Sequence, residues 1–240
     1  MNQVRPNTLL STLNRSNEGL LFSNLFEFNA ERHTILQRAG ALTEYVYFPL
    51  AGMISFLTVM NDGEAVETCS VGFDNCCGQN TALSGRNSNC QLIVQLALKA
   101  LRIKSQHFKV AYEKSAAVRQ MVHVANELII EQTQQTAACH ALHAAEQRLA
   151  RWLLQSHDYA GQDLLDLTQD FVSEMIGVRR TTVSLIASTL QAEGLIKVRR
   201  GHVTVVSREG LERRCCECYE TVMKHRNGHP ALKPVAVPPQ

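Results

Sequence analysis

The run Arg179-Arg180-Thr181-Thr182-Val183-Ser184 sets two guanidiniums and three hydroxyls within six residues. A guanidinium pairs bidentately with guanine and a hydroxyl can serve either kind of base, so on one exposed face this set suits contact with base edges. A second group of reactive side chains is thiol chemistry: eight cysteines, three of them packed into Cys215-Cys216-Glu217-Cys218. Adjacent and i,i+2 cysteines on a helix point apart, so these three alone do not close a four-ligand zinc site. Cys139 and His143 stand one helical turn apart, the spacing of a metal or haem pair, and Cys76-Cys77 with Cys90 form a third group. The simpler reading of every thiol is a small buried side chain in a reducing compartment, and His107, His123 and His140 read the same way. No metal site and no cofactor is therefore expected.

The arginine run needs a scaffold, and the sequence before it supplies one. Thr168 is a good helix cap and Asp170 sits in the first turn, where the dipole favours an acid. Phe171, Val172, Met175 and Ile176 give an inward face, and Gly177 ends the helix at a tight turn that asks for positive φ. A second helix then buries Val183, Ile186, Ala187 and Leu190, which leaves Arg179, Arg180, Thr181 and Ser184 facing outward near its start. That is a helix-turn-helix, whose second helix offers its first residues to the major groove. Residues 193–206 follow as two short strands about Gly201, carrying Lys197, Arg199, Arg200 and His202. This reads as a wing whose tip suits phosphate contact. Residues 177–214 hold eight basic against three acidic residues, a local charge of +5 hidden within a chain total of +2. Salt-dependent attraction to DNA follows. The plainer alternative is a helical hairpin with a solvated basic face, which the wing argues against.

Upstream, residues 34–102 show short β-type runs between turn residues. Residues 53–60 and 65–71 flank Asn61-Asp62-Gly63, and Asp-Gly between two such runs signals a hairpin. This stretch predicts an antiparallel barrel or roll, preceded by a helical segment reaching Phe28. After Ser105 the period changes: Val118, Met121, Val122, Ala125, Leu128 and Ile129 fall on one helical stripe. No Gly or Pro lies between Gly85 and Gly161, so one long helix, or two end to end, is allowed. Its stripe is expected to form a dimer seam; the alternative is packing on the chain's own roll. The organisation expected is an amino-terminal segment 1–19, a sensor roll with dimerisation helix 20–138, a winged helix-turn-helix 139–223 and a disordered, Pro-rich tail 224–240.

Composition narrows the function classes. At 240 residues and 45% apolar, the chain can bury a real core. The longest uncharged run, residues 45–61, contains Pro49 and Gly52 and is too short and polar to span a membrane. The amino terminus lacks a signal-peptide pattern, so a cytoplasmic location is expected. No nucleophile–base pair, His-Glu-x-x-His spacing or phosphate loop appears, and an enzyme is not expected.

The order of roll, long helix and winged helix-turn-helix, with Glu146-Gln147-Arg148-Leu149-Ala150-Arg151-Trp152-Leu153-Leu154 leading into the last, resembles the Crp/Fnr family of bacterial transcription regulators. The likeness covers residues 20–223 and is most specific over residues 168–202. It implies an α+β chain: an antiparallel, cyclic-nucleotide-binding-like β-roll, a long dimerisation helix and a carboxy-terminal winged helix-turn-helix. It also implies that Thr168 and Gln169 touch the DNA backbone. In the family's recognition helix an Arg and a Glu lead, and a second Arg follows. Arg180 keeps the first position, but Thr181 stands for the Glu and Leu185 for the second Arg, so a different half-site is expected. In the implied effector pocket Gly78 is present, Gln79 stands where cyclic-AMP-binding members carry Glu, and Asn89-Cys90 stand for their Arg-Ser. Arg86 falls three residues early, ahead of Ser88, and a cyclic phosphate without its guanidinium binds weakly. The family's iron–sulfur trigger uses amino-terminal cysteines, and this chain has none before Cys69.

The expected function is a homodimeric regulator reading inverted repeats on double-stranded DNA. Its small-molecule effector is undetermined and not cyclic AMP, it has RNA polymerase as a further partner, and it makes no membrane contact. The rival is a ligand- or partner-binding module whose helix-turn-helix serves protein contact.

Overall fold

The computed structural model describes residues 3–232. Two short helices open the chain, α1 (Thr8–Ser11) and α2 (Gly19–Phe22). Leu9, Leu10 and Leu13 are buried among Val118, Met121 and Phe108, so this part of the expected amino-terminal segment packs on the roll and its helices rather than standing apart. The helical segment expected to reach Phe28 stops at Phe22, because Phe26–Ala30 pairs as strand β1. Then come β2 (Ile35–Gln37), β3 (Tyr45–Val59), β4 (Ala65–Val71), α3 (Gln79–Ser84) and β5 (Gln91–Lys104). All pairs are antiparallel in the order β1-β5-β3-β4, with β2 also on β5.

Two runs expected as separate strands are one. Gly52 lets β3 continue past Pro49 at φ 84°, where the register against β5 shifts. A Cβ there would stand 2.2 Å from the Ala97 carbonyl oxygen, so only glycine fits. The expected hairpin at Asn61-Asp62-Gly63 closes with Met60 N–H donating to the Glu64 carbonyl at 2.8 Å.

The helical half divides at Ser115, whose side chain caps the Val118 N–H, into α4 (Ser105–Lys114) and α5 (Ala116–Leu142). Val118, Met121, Val122, Ala125 and Leu128 are at most 7% exposed, packed among Leu9, Phe48, Ile103 and Phe108, and Ile129 is half-buried against the sheet. The residues expected between two copies thus cover the chain's own roll. Amphipathic spacing fixes which face is covered, but not by what. The face left outward carries His123, Glu127, Ile130, Gln134, Ala137 and Ala141, spaced alternately four and three apart.

Beyond a two-residue break lie α6 (Ala145–Ala160), β6 (Leu164–Leu165), α7 (Gln169–Ile176), α8 (Arg180–Ala192), β7 (Ile196–Arg199), β8 (His202–Val205), α9 (Arg208–Arg214) and α10 (Cys218–Gly228), with a 3₁₀ turn at Pro230–Leu232. The described part of the expected tail is therefore helical, and residues 233–240 lie outside the described residues. Arg226 explains the order. Its guanidinium meets Asp74 at 3.0 Å, Tyr159 O–H donates to the same carboxylate oxygen at 3.0 Å, and all three groups are largely buried. Met53, Leu57, Ile93 and Leu96 of the roll share one core with Trp152, Leu153, Phe171 and Met175, so roll and carboxy-terminal unit are packed together. Among the described residues, no helix is long and apolar enough to cross a membrane.

Candidate nucleic-acid interface

Helix α7 begins as its sequence predicts. Thr168 accepts the Phe171 N–H at 3.4 Å, and Phe171, Val172, Met175 and Ile176 turn inward. Gly177 ends the helix at φ 61°, in the left-handed conformation that the turn requires. A Cβ at Gly177 would also lie 3.2 Å from Cγ2 of Val66, because the β3–β4 hairpin of the roll rests against this turn. Arg179 caps α8 with extended backbone, and Val183, Ile186, Ala187 and Leu190 are buried beneath it.

The outward face follows the expectation in part. Arg179, Arg180 and Thr181 are exposed. Arg180 lies 3.1 Å from Asp170, an ion pair about two-thirds exposed on both sides and therefore easily exchanged for a base or phosphate. Ser184 is half-buried, and its hydroxyl donates to Gln169 Oε1 at 2.7 Å. A residue assigned to bases thus locks one assigned to the backbone, and holds α7 against α8. Leu185, omitted from the expected base contacts, is 70% exposed on α8. A bare leucine beside two arginines is a good partner for the thymine methyl group. Its signal was its departure from the family pattern.

β7 and β8 pair from Ile196↔Val205 to Arg199↔His202, with Arg200 and Gly201 at the tip and β6 on the far side of β8. Lys197, Arg199, Arg200 and His202 are exposed. His202 Nδ1 lies 3.5 Å from Asp166, which also meets Arg32 of the roll at 2.9 Å. Next to Arg32, His33 packs edge-on to Phe171 with centroids 4.6 Å apart, and its pKa is lowered by burial and then by Arg32. Of the eight cations counted in the sequence, Arg208 is engaged by Asp158 at 2.8 Å, and Arg214 by Glu146 at 3.0 Å and by Glu193. Among the described residues, Arg179, Lys197, Arg199, Arg200 and Arg213 make no ion pair, and four of these five gather at the start of α8 and on the wing.

The expected effector residues converge incompletely. Gly78, Gln79, Ser88, Asn89 and Cys90 line a roll cavity of about 290 Å³ that reaches Ile129 and Thr133 of α5. Arg86 does not; it is exposed on the loop after α3, and no cation is among the described residues lining the cavity. Between roll and α6 runs a buried polar chain that the sequence did not announce. Glu67 lies 2.5 Å from Ser55 Oγ, Ser55 meets Gln95 Oε1, and Gln95 Nε2 donates to Ser156 at 3.2 Å. Burial raises the Glu67 pKa to about 7, against the lowering effect of Ser55 and Arg151. A single serine hydroxyl proton cannot serve two acceptor oxygens, so a protonated Glu67 completes the chain.

A winged helix-turn-helix unit packed on an antiparallel roll, joined to it in the chain by a long helix, is the architecture these elements define. Residues 147–214 match the Crp-like helix-turn-helix domain family. No curated protein sequence matches the chain. Among solved structures, FixK2 from Bradyrhizobium japonicum is 16% identical with a TM-score of 0.68, over 80% of this chain and 98% of that one. A Crp/Fnr-family transcriptional regulator from Thermus thermophilus is 17% identical with a TM-score of 0.64, over 82% and 98%. CLP, a c-di-GMP-responsive global regulator from Xanthomonas campestris, is 14% identical with a TM-score of 0.65, over 80% and 99%. At these identities the likeness is one of fold. Residues 147–214 thus carry a Crp-like helix-turn-helix domain, and the chain as a whole shares the fold of these solved structures.

Proposed function

We propose that this protein is a sequence-specific DNA-binding transcription regulator, acting as a homodimer on inverted-repeat sites. The observation that carries the reading is the cluster of unneutralised cations on α8 and the wing, around the exposed Thr181 and Leu185. Arg179 and Arg180 pair with guanine, Leu185 meets a thymine methyl, and Thr181 adds a hydroxyl. Lys197, Arg199, Arg200 and His202 hold phosphates on the flank, while Thr168 and Gln169 fix the start of α7 near the backbone. Two such heads enter successive major grooves about 34 Å apart.

The second copy docks on the outward face of α5, where Ile130 is 54% exposed within a four–three spacing that suits a helix pair. Any effector enters the roll cavity, whose neutral lining suits an uncharged polar molecule better than cyclic AMP. RNA polymerase is the partner that such a regulator would address once on its promoter.

Binding to random-sequence duplex DNA tests the charge argument without knowledge of the operator. Each phosphate contact contributes a slope of about −0.9 to log K against log salt. Replacing Lys197, Arg199 and Arg200 together with alanine should flatten the slope by about 2.7 per head, at unchanged circular dichroism. An unchanged slope would remove the wing from the interface.

A further inference from the structure

The end of α5 and the loop joining α9 to α10 bring together four side chains that the reading head does not use. Cys139 Sγ lies 3.5 Å from Cys216 Sγ, and His143 Nδ1 lies 3.4 Å from Cys218 Sγ. All four ligand atoms lie within 4.8 Å of one another; the three cysteines are buried and the histidine is half-buried. Cys216 lies in the loop after α9 and Cys218 opens α10, so the objection to ligands spaced along a helix does not apply to them. Cys139 and His143, from the end of α5 more than 70 residues earlier in the chain, supply the other two donors.

We propose that Cys139, His143, Cys216 and Cys218 form a mononuclear, tetrahedral site for a divalent cation of the zinc class. Three thiolates and an imidazole are a closed structural zinc set, with no open position for a substrate. With zinc–sulfur bonds of ~2.3 Å and zinc–nitrogen bonds of ~2.0 Å, a tetrahedral site has edges of roughly 3.5–3.8 Å. The two close contacts, 3.5 Å between sulfurs and 3.4 Å between nitrogen and sulfur, come within about 0.3 Å of those edges. An iron–sulfur cluster spreads its ligands over several metals and asks for wider separations than this group offers.

The surroundings are also those of a ligand set. His143 turns its other nitrogen, Nε2, to Glu217 at 3.3 Å, the carboxylate–imidazole arrangement that fixes the tautomer of a metal-bound histidine. Gln135 Nε2 donates to Cys218 Sγ at 3.0 Å, as amides do to thiolates. Three thiolates on a dication leave a charge of −1. Arg151, only 4% exposed, reaches Thr136 on the same turn of α5 as Cys139 and sets a cation against it. Binding releases the thiol protons to solvent. A Cys139–Cys216 disulfide would use two of the four groups and leave the aim of His143 at Cys218 without purpose. The bound ion would join the α5–α6 break, where His143 ends α5, to the start of α10.

Cobalt(II) titration of the reduced, metal-free full chain tests the site. The expected result is a saturable spectrum at one equivalent per chain, with intense tetrahedral ligand-field bands and thiolate charge transfer. Zinc should displace the cobalt and raise Tm. Cys216→Ser and Cys218→Ser should each lose the tetrahedral thiolate spectrum, with folding checked by circular dichroism, and Cys90→Ser should keep it. The wild-type titration decides even where a variant misfolds. No saturable spectrum in the wild type, a spectrum that survives in a folded Cys216→Ser protein, or a Cys139–Cys216 disulfide that forms on mild oxidation despite saturating zinc would each overturn the proposal.

Discussion

At the scale of single residues, the reading surface depends on which side chains are already spoken for. Ser184 and Gln169 satisfy each other, so α8 presents Arg179, Arg180, Thr181 and Leu185 in a frame that α7 holds in place. The frame was legible in the sequence, from the Thr168 cap, the Gly177 turn and the inward apolar spacing. The Ser184–Gln169 bond was not, because residues 15 apart meet only once two helices have crossed. Glu67 was equally silent, since nothing in its sequence neighbourhood marks a carboxyl destined for full burial. Its pKa in the folded chain stands at about 7, above the ordinary 4.5. A raised carboxyl pKa stabilises the fold relative to the unfolded chain below the unfolded value, and that benefit is lost as pH rises through the folded value. We predict that stability contributed by Glu67 falls by about 3 kcal/mol between pH 4.5 and pH 7. Urea unfolding across that range should show the fall in the wild type and not in Glu67→Gln; superimposable profiles would show that Glu67 is not protonated in the fold.

At the scale of elements, α5 shows where periodicity stops being informative. Its apolar stripe, expected as a dimer seam, is buried against the chain's own roll through Val118, Met121, Val122, Ala125 and Leu128. A hydrophobic stripe states that something covers it, and two copies or one chain satisfy that condition equally. The outward face is mostly polar, yet it repeats at four and three and carries Ile130 among Ala137 and Ala141. Ile130→Glu should therefore yield a folded monomer by sedimentation, with far weaker binding to a palindromic site. A dimer of unchanged affinity would place the interface elsewhere. A final helix at Cys218 is expected from the sequence, but its continuation to Gly228, into the expected tail, is not. Its interior is polar, and its order comes from Arg226 reaching Asp74 across 152 residues.

At the scale of the whole molecule, roll and reading head share a core, and Asp74 ties the carboxy-terminal helix to a loop of the roll. The guanidinium of Arg226 is held above its usual pKa despite burial, because Asp74 faces it. Arg226→Ala strands a buried carboxylate with Tyr159 as its remaining side-chain partner and should cost about 3–5 kcal/mol in urea unfolding. A cost near that of a surface pair, below about 1 kcal/mol, would contradict this staple. Met53 and Leu57 of the roll pack with Trp152 in that core, so the two units are in direct apolar contact. Central to the account is that two such heads read a symmetric DNA site. The direct measurement is selection of bound duplexes from a random pool, using the purified reduced protein with no small molecule added. The account predicts enrichment of a two-fold-symmetric motif with half-sites one helical turn apart, lost when Arg179 and Arg180 are both alanine. A folded, dimeric protein that enriches no motif, even with candidate effectors supplied, would contradict it.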